Sequence, residues 1–147
     1  MKRSLLVEAG GGPLAAVVGG ANVPDDRLLD ATIRAIVLER PEPEPDWPQH
    51  LCLDAGYDTP TGWEVCIDHD YYPHIAPRRP DDRPPPDPIA HPPRRWPVER
   101  THSWLLSWRG ILIRWEKNVE NYLGLIHAAC ALLSFRRYVR LTPWLRS

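Results

Sequence analysis

The sequence predicts an α/β fold, and three observations carry that prediction. Arg3–Ala9, with Leu5, Leu6 and Val7, and the apolar run Leu14–Val18 flank Gly10-Gly11-Gly12-Pro13, the pattern of a β-hairpin around a glycine-rich turn. From Pro24 the period becomes helical, with Leu28, Leu29, Ile33, Ile36 and Val37 on one side. Strand character then returns at His50–Asp54 and Tyr71–Ala76, on either side of a short helix.

The chain has 147 residues, 43% of them hydrophobic, which is enough for one domain with a core and cramped for two. Its net charge of −1 conceals a division. Residues 1–93 hold eight Lys/Arg against sixteen Asp/Glu, a net −8, whereas residues 94–147 hold ten against three, a net +7. A basic C-terminal third suits a polyanion such as nucleic acid, and arginines on a solvated helix face are the bland alternative. Cys52, Cys66 and Cys130 share no CxxC spacing, so neither a disulfide framework nor a zinc knuckle is indicated, and a reducing cytoplasm fits. Ser4–Val7 is too short for a signal peptide, and Tyr122–Ser134 is too short and interrupted to span a bilayer.

In chain order, the hairpin leads to a helix that Asp25 or Asp26 can cap and Pro41 stops. The segment PEPEPDWPQ reads as a stiff, extended connection. His50–Asp54 is a third strand, closed by the turn Ala55-Gly56-Tyr57-Asp58, with glycine where a positive φ is expected. Thr59–Ile67 forms a short helix capped by Thr59 or Thr61, and Tyr71–Ala76 a fourth strand weakened by Pro73. Ten of the eighteen prolines fall between Pro73 and Pro97, so Pro77–Pro93 cannot keep a hydrogen-bond ladder and reads as an irregular loop. Beyond it, Val98, Thr101, Leu105, Trp108, Leu112 and Trp115 recur at steps of 3, 4, 3, 4 and 3, with Pro97 in the first turn and Trp108 and Trp115 facing the core. Near Asn118 the phase shifts, and Tyr122, Ile126, Cys130 and Leu133 form a second stripe ending in Arg136, Arg137 and Arg140. Two helices, or one broken at Asn118–Asn121, are expected.

Asp54 stands at the C-terminal end of an expected parallel strand, where open α/β sheets place ligands, although an aspartate beside Gly56 also simply caps a turn. Glu99 lies in a first helical turn, where the helix dipole alone favours an acid. His69, Asp70 and His74 are close in sequence but lack a third well-spaced His or Cys, and Cys52 reads as a buried, inert thiol before it reads as a nucleophile. Gly10–Gly12 lacks the lysine and following helix of a phosphate loop.

Longer stretches resemble the C-terminal part of an insertion-sequence transposase of the acidic-triad (DDE) class. KRSLLVEAGGGPLAAVVGGANVPDDRLLDATI is similar to that family's second and third strands and first helix. LCLDAGYDTP resembles the segment with its second catalytic aspartate. RRWPVERTHSWLLSWRGILIRWEKNVENYLGLIHAACALLSFRR resembles the stretch with the catalytic glutamate and terminal helix. Agreement at Arg95, Glu99, Arg100-Thr101, Trp104, Arg109, Glu116-Lys117 and Asn121-Tyr122-Leu123 makes the likeness specific.

The resemblance implies an incomplete ribonuclease H-like fold comprising a hairpin, a helix, two further strands, a Pro-rich loop and two C-terminal helices. Residues 1–147 would form a single partial catalytic domain, with an α/β part at 1–76, the Pro-rich loop at 77–97 and basic helices at 98–141. It implies Asp54 and Glu99 as catalytic and metal-binding acids, Mg²⁺ (or Mn²⁺) as cofactor, and Arg95, Arg100 and Arg109 as DNA contacts. Carboxylates suit such hard cations better than histidine or thiolate. The expected partners are DNA, as element terminal repeats and target, and further copies of the complete protein, in the bacterial cytoplasm at the nucleoid and without a membrane. The family's first aspartate precedes the segment that begins here at Met1, so no residue here matches it, and Asp25 and Asp26 fall in the wrong place. The chain is therefore expected to be inactive alone and active when joined to an upstream frame. The alternative is a non-catalytic remnant or regulatory fragment that binds DNA or the full transposase.

Overall fold

A computed structural model describes residues 1–79 and 96–142. Most of the expected Pro-rich loop, and Arg95 with it, lies outside the described residues.

Strands β1 (Lys2–Val7) and β2 (Pro13–Gly19) pair antiparallel, with Leu5 opposite Ala16 and Leu6 opposite Ala15. In the turn, Gly11 N–H donates to Glu8 O at 2.7 Å and Glu8 N–H to Gly12 O at 2.9 Å. Gly11 takes φ +88°, a left-handed conformation that a side chain would strain. Alternation along the strands gives the hairpin two working faces. Ser4 and Leu6 turn to one side, where the Thr32 hydroxyl donates to Ser4 Oγ at 2.7 Å and Leu6 joins a core of Leu29, Ile33, Leu51, Cys66 and Ile75. Leu5 and Val18 turn to the other, against a core of Ala16, Leu105, Ile111, Tyr122, Ile126 and Ala129. The hairpin is thus the middle layer between two helical sets.

Helix α1 (Asp25–Arg34) covers the first face with Leu28, Leu29, Thr32 and Ile33. Neither Asp25 nor Asp26 caps it, because Pro24 occupies the N-cap position with no side-chain bond. The two acids sit in the first turn, which the dipole favours, and Asp25 pairs with Lys2 at 3.1 Å. The helix ends before Pro41 has to stop it. Ile36 still packs on the core, but Val37 is 89% exposed, so the expected stripe loses its burial there. Nor is PEPEPDWPQ extended throughout, since Trp47 N–H donates back to Glu44 O at 2.9 Å in a turn.

Strands β3 (Gln49–Leu53) and β4 (Tyr71–Ile75) form a separate parallel pair, with Leu51 opposite Pro73. Ala76 N–H donates to Leu53 O at 3.3 Å, so the even-numbered N–H groups of this strand point at β3. Pro73, which has no N–H, falls where the group would point outward, a position proline tolerates in an edge strand. A 3₁₀ turn, Ala55–Tyr57, and helix α2 (Pro60–Asp68) connect the two strands. Thr59 caps α2 by accepting from Gly62 N–H at 3.0 Å, and Cys66 is fully buried beneath it. Gly56 does not adopt a positive φ, because the 3₁₀ turn needs none.

Helix α3 (Trp96–Leu106) buries Thr101 and Leu105, as its spacing predicts, but stops before the expected stripe reaches Trp108, Leu112 and Trp115. The Ser107 hydroxyl donates to Trp104 O at 2.6 Å, and Trp108 is extended at ψ 111°. A separate turn, α4 (Arg109–Leu112), then buries Ile111 and leaves Leu112 57% and Trp115 73% exposed. Trp108, at 39%, is also outside the core. Three helical pieces therefore stand where two were expected. The break before the last one falls where the phase shift put it. Asn118 caps α5 (Val119–Leu141) by accepting from Glu120 N–H at 2.8 Å, and Tyr122, Ile126 and Ala129 form its buried stripe. Arg3 ties the layers together, donating to Ile111 O at 3.1 Å and Tyr122 Oη at 3.3 Å. Among the described residues no helix is long and apolar enough to cross a membrane.

Candidate functional site

Asp54 leaves β3 at its C-terminal end, as expected for a parallel pair, and its exposed carboxylate accepts from Gly56 N–H at 2.8 Å. Capping the turn engages one oxygen of a group that has several acceptor sites. Nearby, the Tyr57 hydroxyl is pushed up to about 12, first by burial and then by the charges of Asp25 and Asp54, against a hydrogen bond with Ser4. Asp54 thus stands in an acidic neighbourhood that also includes Asp26, which accepts from the Thr59 hydroxyl at 2.8 Å.

Glu99 is exposed in the first turn of α3. That turn is held by Thr101, whose buried hydroxyl lies 2.6 Å from Gly11 O and 3.0 Å from Pro97 O. The next residue, Arg100, donates to Gly10 O and stacks its guanidinium 4.9 Å from the Trp104 ring centre. Arg109 is exposed at the start of α4.

Less visible in the sequence is the seat that the glycine turn makes for two arginines. Glu8 accepts from Gly10 N–H at 2.7 Å and Gly12 N–H at 2.8 Å, and pairs with Arg137 of α5 at 2.6 Å. Cβ atoms at Gly10 and Gly11 would stand 2.1 Å from the Arg137 guanidinium and 2.5 Å from that of Arg100. The amides that a phosphate loop would offer to a ligand are here turned on the chain's own carboxylate. Glycine spacing alone carries no signal for this, because the partners lie 90 and more residues away.

His69, Asp70 and His74 do not converge. His69 Nε2 lies 2.8 Å from Asp30, while His74 Nε2 lies 2.8 Å from His50 Nδ1. Asp70 takes a positive φ of 56° at the turn between them. Cys52 is exposed, not buried, because the face of β3 opposite Leu51 and Leu53 looks away from the core, whereas burial pushes the Cys66 thiol up to about 11. Among the described residues no group of three or more His, Cys, Asp or Glu side chains is placed to hold a metal ion. The oxygen donors of Asp54 and Glu99 fit a hard divalent cation in type, but among the described residues their number does not make a site.

The structure thus places one acid, Asp54, at the exit of a parallel strand and another, Glu99, in the first turn of a later helix. The chain belongs to the Transposase DDE domain family, whose profile matches residues 1–134. It is 31% identical over 141 residues to a Burkholderia cepacia protein provisionally named the transposase for insertion sequence element IS402. That match covers 90% of this chain and 61% of the relative, so the chain spans somewhat under two thirds of the relative's length. No solved structure matches the chain. The family implies a ribonuclease H-like fold, and its domains generally use divalent metal ions.

Proposed function

We propose that the chain is the C-terminal portion of a DNA transposase that cleaves insertion-sequence ends and joins them to target DNA, active when an upstream segment completes the domain. The observation that carries this reading is the family match, which runs through both the Asp54 turn and the first turn of α3. In it, Asp54 and Glu99 are two of the carboxylates of a site for Mg²⁺ (or Mn²⁺), and Arg95, Arg100 and Arg109 contact phosphates. Such a metal, when bound, activates a water and stabilises the leaving oxygen. This chain's contribution is to hold two hard-oxygen ligands and to screen the negative substrate. The complete protein acts as an oligomer on paired DNA ends.

The separation of the sheets supports the need for an upstream partner. Among the described residues, β1 has only β2 as strand neighbour and β3 only β4, while α1 packs on the hairpin and on α2 and so spans both pairs. An added strand between β1 and β3 would unite them and bring its own side chains beside Asp54.

The test is nicking of a plasmid bearing element ends by the chain joined to its upstream frame. With Mg²⁺ the fusion is expected to nick, the chain alone is not, and Asp54→Asn or Glu99→Gln is expected to lower nicking roughly a hundredfold or more. Full activity in either variant would remove that residue from the site. A second reading, a regulatory fragment that binds DNA or the full transposase without cutting, draws on the lack of a three-ligand cluster among the described residues. It is supported if the fusion is inert and the separate chain inhibits an intact relative.

A further inference from the structure

Between the glycine turn, the end of α3 and the last turns of α5 lies a cleft of about 400 Å³, lined by Trp104, Trp108, Arg136, Arg137 and Arg140 among others. Its cations are not equivalent. Arg137 is neutralised by Glu8, and Arg100 at the rim is engaged with Gly10 O and Trp104. Arg136 and Arg140 are exposed, and among the described residues neither has an acidic partner. One helical turn apart, they repel each other, and an anion held between them removes that repulsion. The two indoles are 40% and 39% exposed, next to Leu105 and Ile111, which are each 2% exposed.

Together these features define the ligand. Guanidiniums without acidic partners take phosphate, and exposed indoles take the flat face of an apolar or aromatic ring. In a duplex the base faces are stacked on their neighbours and only the edges are accessible, so an indole can stack only on an unpaired base. The cleft also has the volume of a small ligand and cannot admit the width of a helix.

Resting on the reading that this chain acts on DNA, we infer that the cleft holds a single-stranded segment. Arg136 and Arg140 take consecutive phosphates, and Trp104 and Trp108 stack on the bases. Arg137 lines the cleft and, paired with Glu8, fixes α5 against the turn, which leaves the phosphates to the other two arginines. The site is distinct from Asp54 and Glu99, neither of which lines it.

The experiment is fluorescence anisotropy of the full chain with a labelled oligothymidylate of fifteen nucleotides and with a fifteen-base-pair duplex, without metal. Trp108→Ala and Trp108→Leu are expected to weaken single-strand binding by roughly five- to a hundredfold, while Trp108→Phe, which keeps a ring, stays near the wild type. Duplex binding is expected to change by less than about twofold, because no stacked base reaches the indole. Arg136→Ala with Arg140→Ala is expected to reduce the single-strand salt slope by about 1.4, two phosphates at about 0.7 each. Circular dichroism of each variant separates lost folding from lost stacking, and Trp108→Leu serves if the alanine variant unfolds. Equal losses on both ligands, no loss for either Trp108 variant, or an unchanged salt slope would overturn the single-strand site. Wild-type binding to duplex alone overturns it while leaving the DNA reading intact, and binding to neither overturns both.

Discussion

At the scale of single residues, two titrating groups set how the fold responds to acid. Burial raises the Glu8 carboxyl, but the Gly10 and Gly12 N–H groups, helped by Arg137 and Arg100, overcome this and hold it below its ordinary value of 4.5. A depressed carboxyl stabilises the fold above the unfolded value and loses that contribution as pH falls through the folded one. Glu8→Gln is therefore expected to cost about 1 kcal/mol at neutral pH, a figure discounted for the partial exposure of the pair. The deficit should shrink in urea titrations run progressively below pH 4.5, and a deficit independent of pH would rule the charge out. His102 behaves differently. Burial, and then the Arg3 charge, lowers its value from 6.5. The unfolded chain takes up that proton first, so stability falls as pH drops from about 6.5 toward the folded value. Replacing His102 by Gln should flatten the loss of denaturation midpoint between pH 7 and 5.5, and an unaltered slope would clear His102 of the effect.

At the scale of elements, the hairpin turn is the anchor for both α3 and α5. Gly11→Ala places a side chain at a positive φ and against Arg100, and should cost about 1–2 kcal/mol in thermal denaturation. Ile126, only 1% exposed, ties α5 to the hairpin, and Ile126→Ala should cost about 2–5 kcal/mol, most of it from the cavity left behind. A value near zero for Gly11→Ala would mean that the turn does not seat α3 through Arg100, and one near zero for Ile126→Ala that α5 is held by something other than this layer. These elements also show what can be read from a chain. Tyr122 and Ile126 were legible because a helix repeats its own geometry, and Thr59 because capping is local. Trp108 and Trp115 were not, since Ser107 turns back on Trp104 and resets the phase, an event with no periodic trace. Likewise the places of Asp54 at a strand end and Glu99 in a first helical turn follow from their local surroundings, whereas the Glu8–Arg137 pair joins residues from opposite ends of the chain.

At the scale of the molecule, one hairpin serves two cores, and the β3–β4 pair belongs to only one of them. If an upstream strand completes the sheet, the fusion should unfold at a higher urea midpoint and with a steeper dependence than the chain alone, because more surface is exposed in one event. Unchanged steepness would mean that the added segment folds apart from this domain. The α/β class, the hairpin and the parallel strand ending at Asp54 were all readable, whereas the way the two pairs lie together was not. Strand character is written locally, but how the pairs lie together depends on a core in which Leu29 and Ile33 of α1 meet Leu51 of β3 and Ile75 of β4.

Pro73 makes the two borders of the β3–β4 pair unequal. With Pro73 at an outward-facing position, that border of β4 carries one donor fewer than a full strand would. Open-ended stacking of copies needs two receptive borders per unit. A missing donor on one border weighs against adding a further strand there, so the proline disfavours open-ended growth through β4.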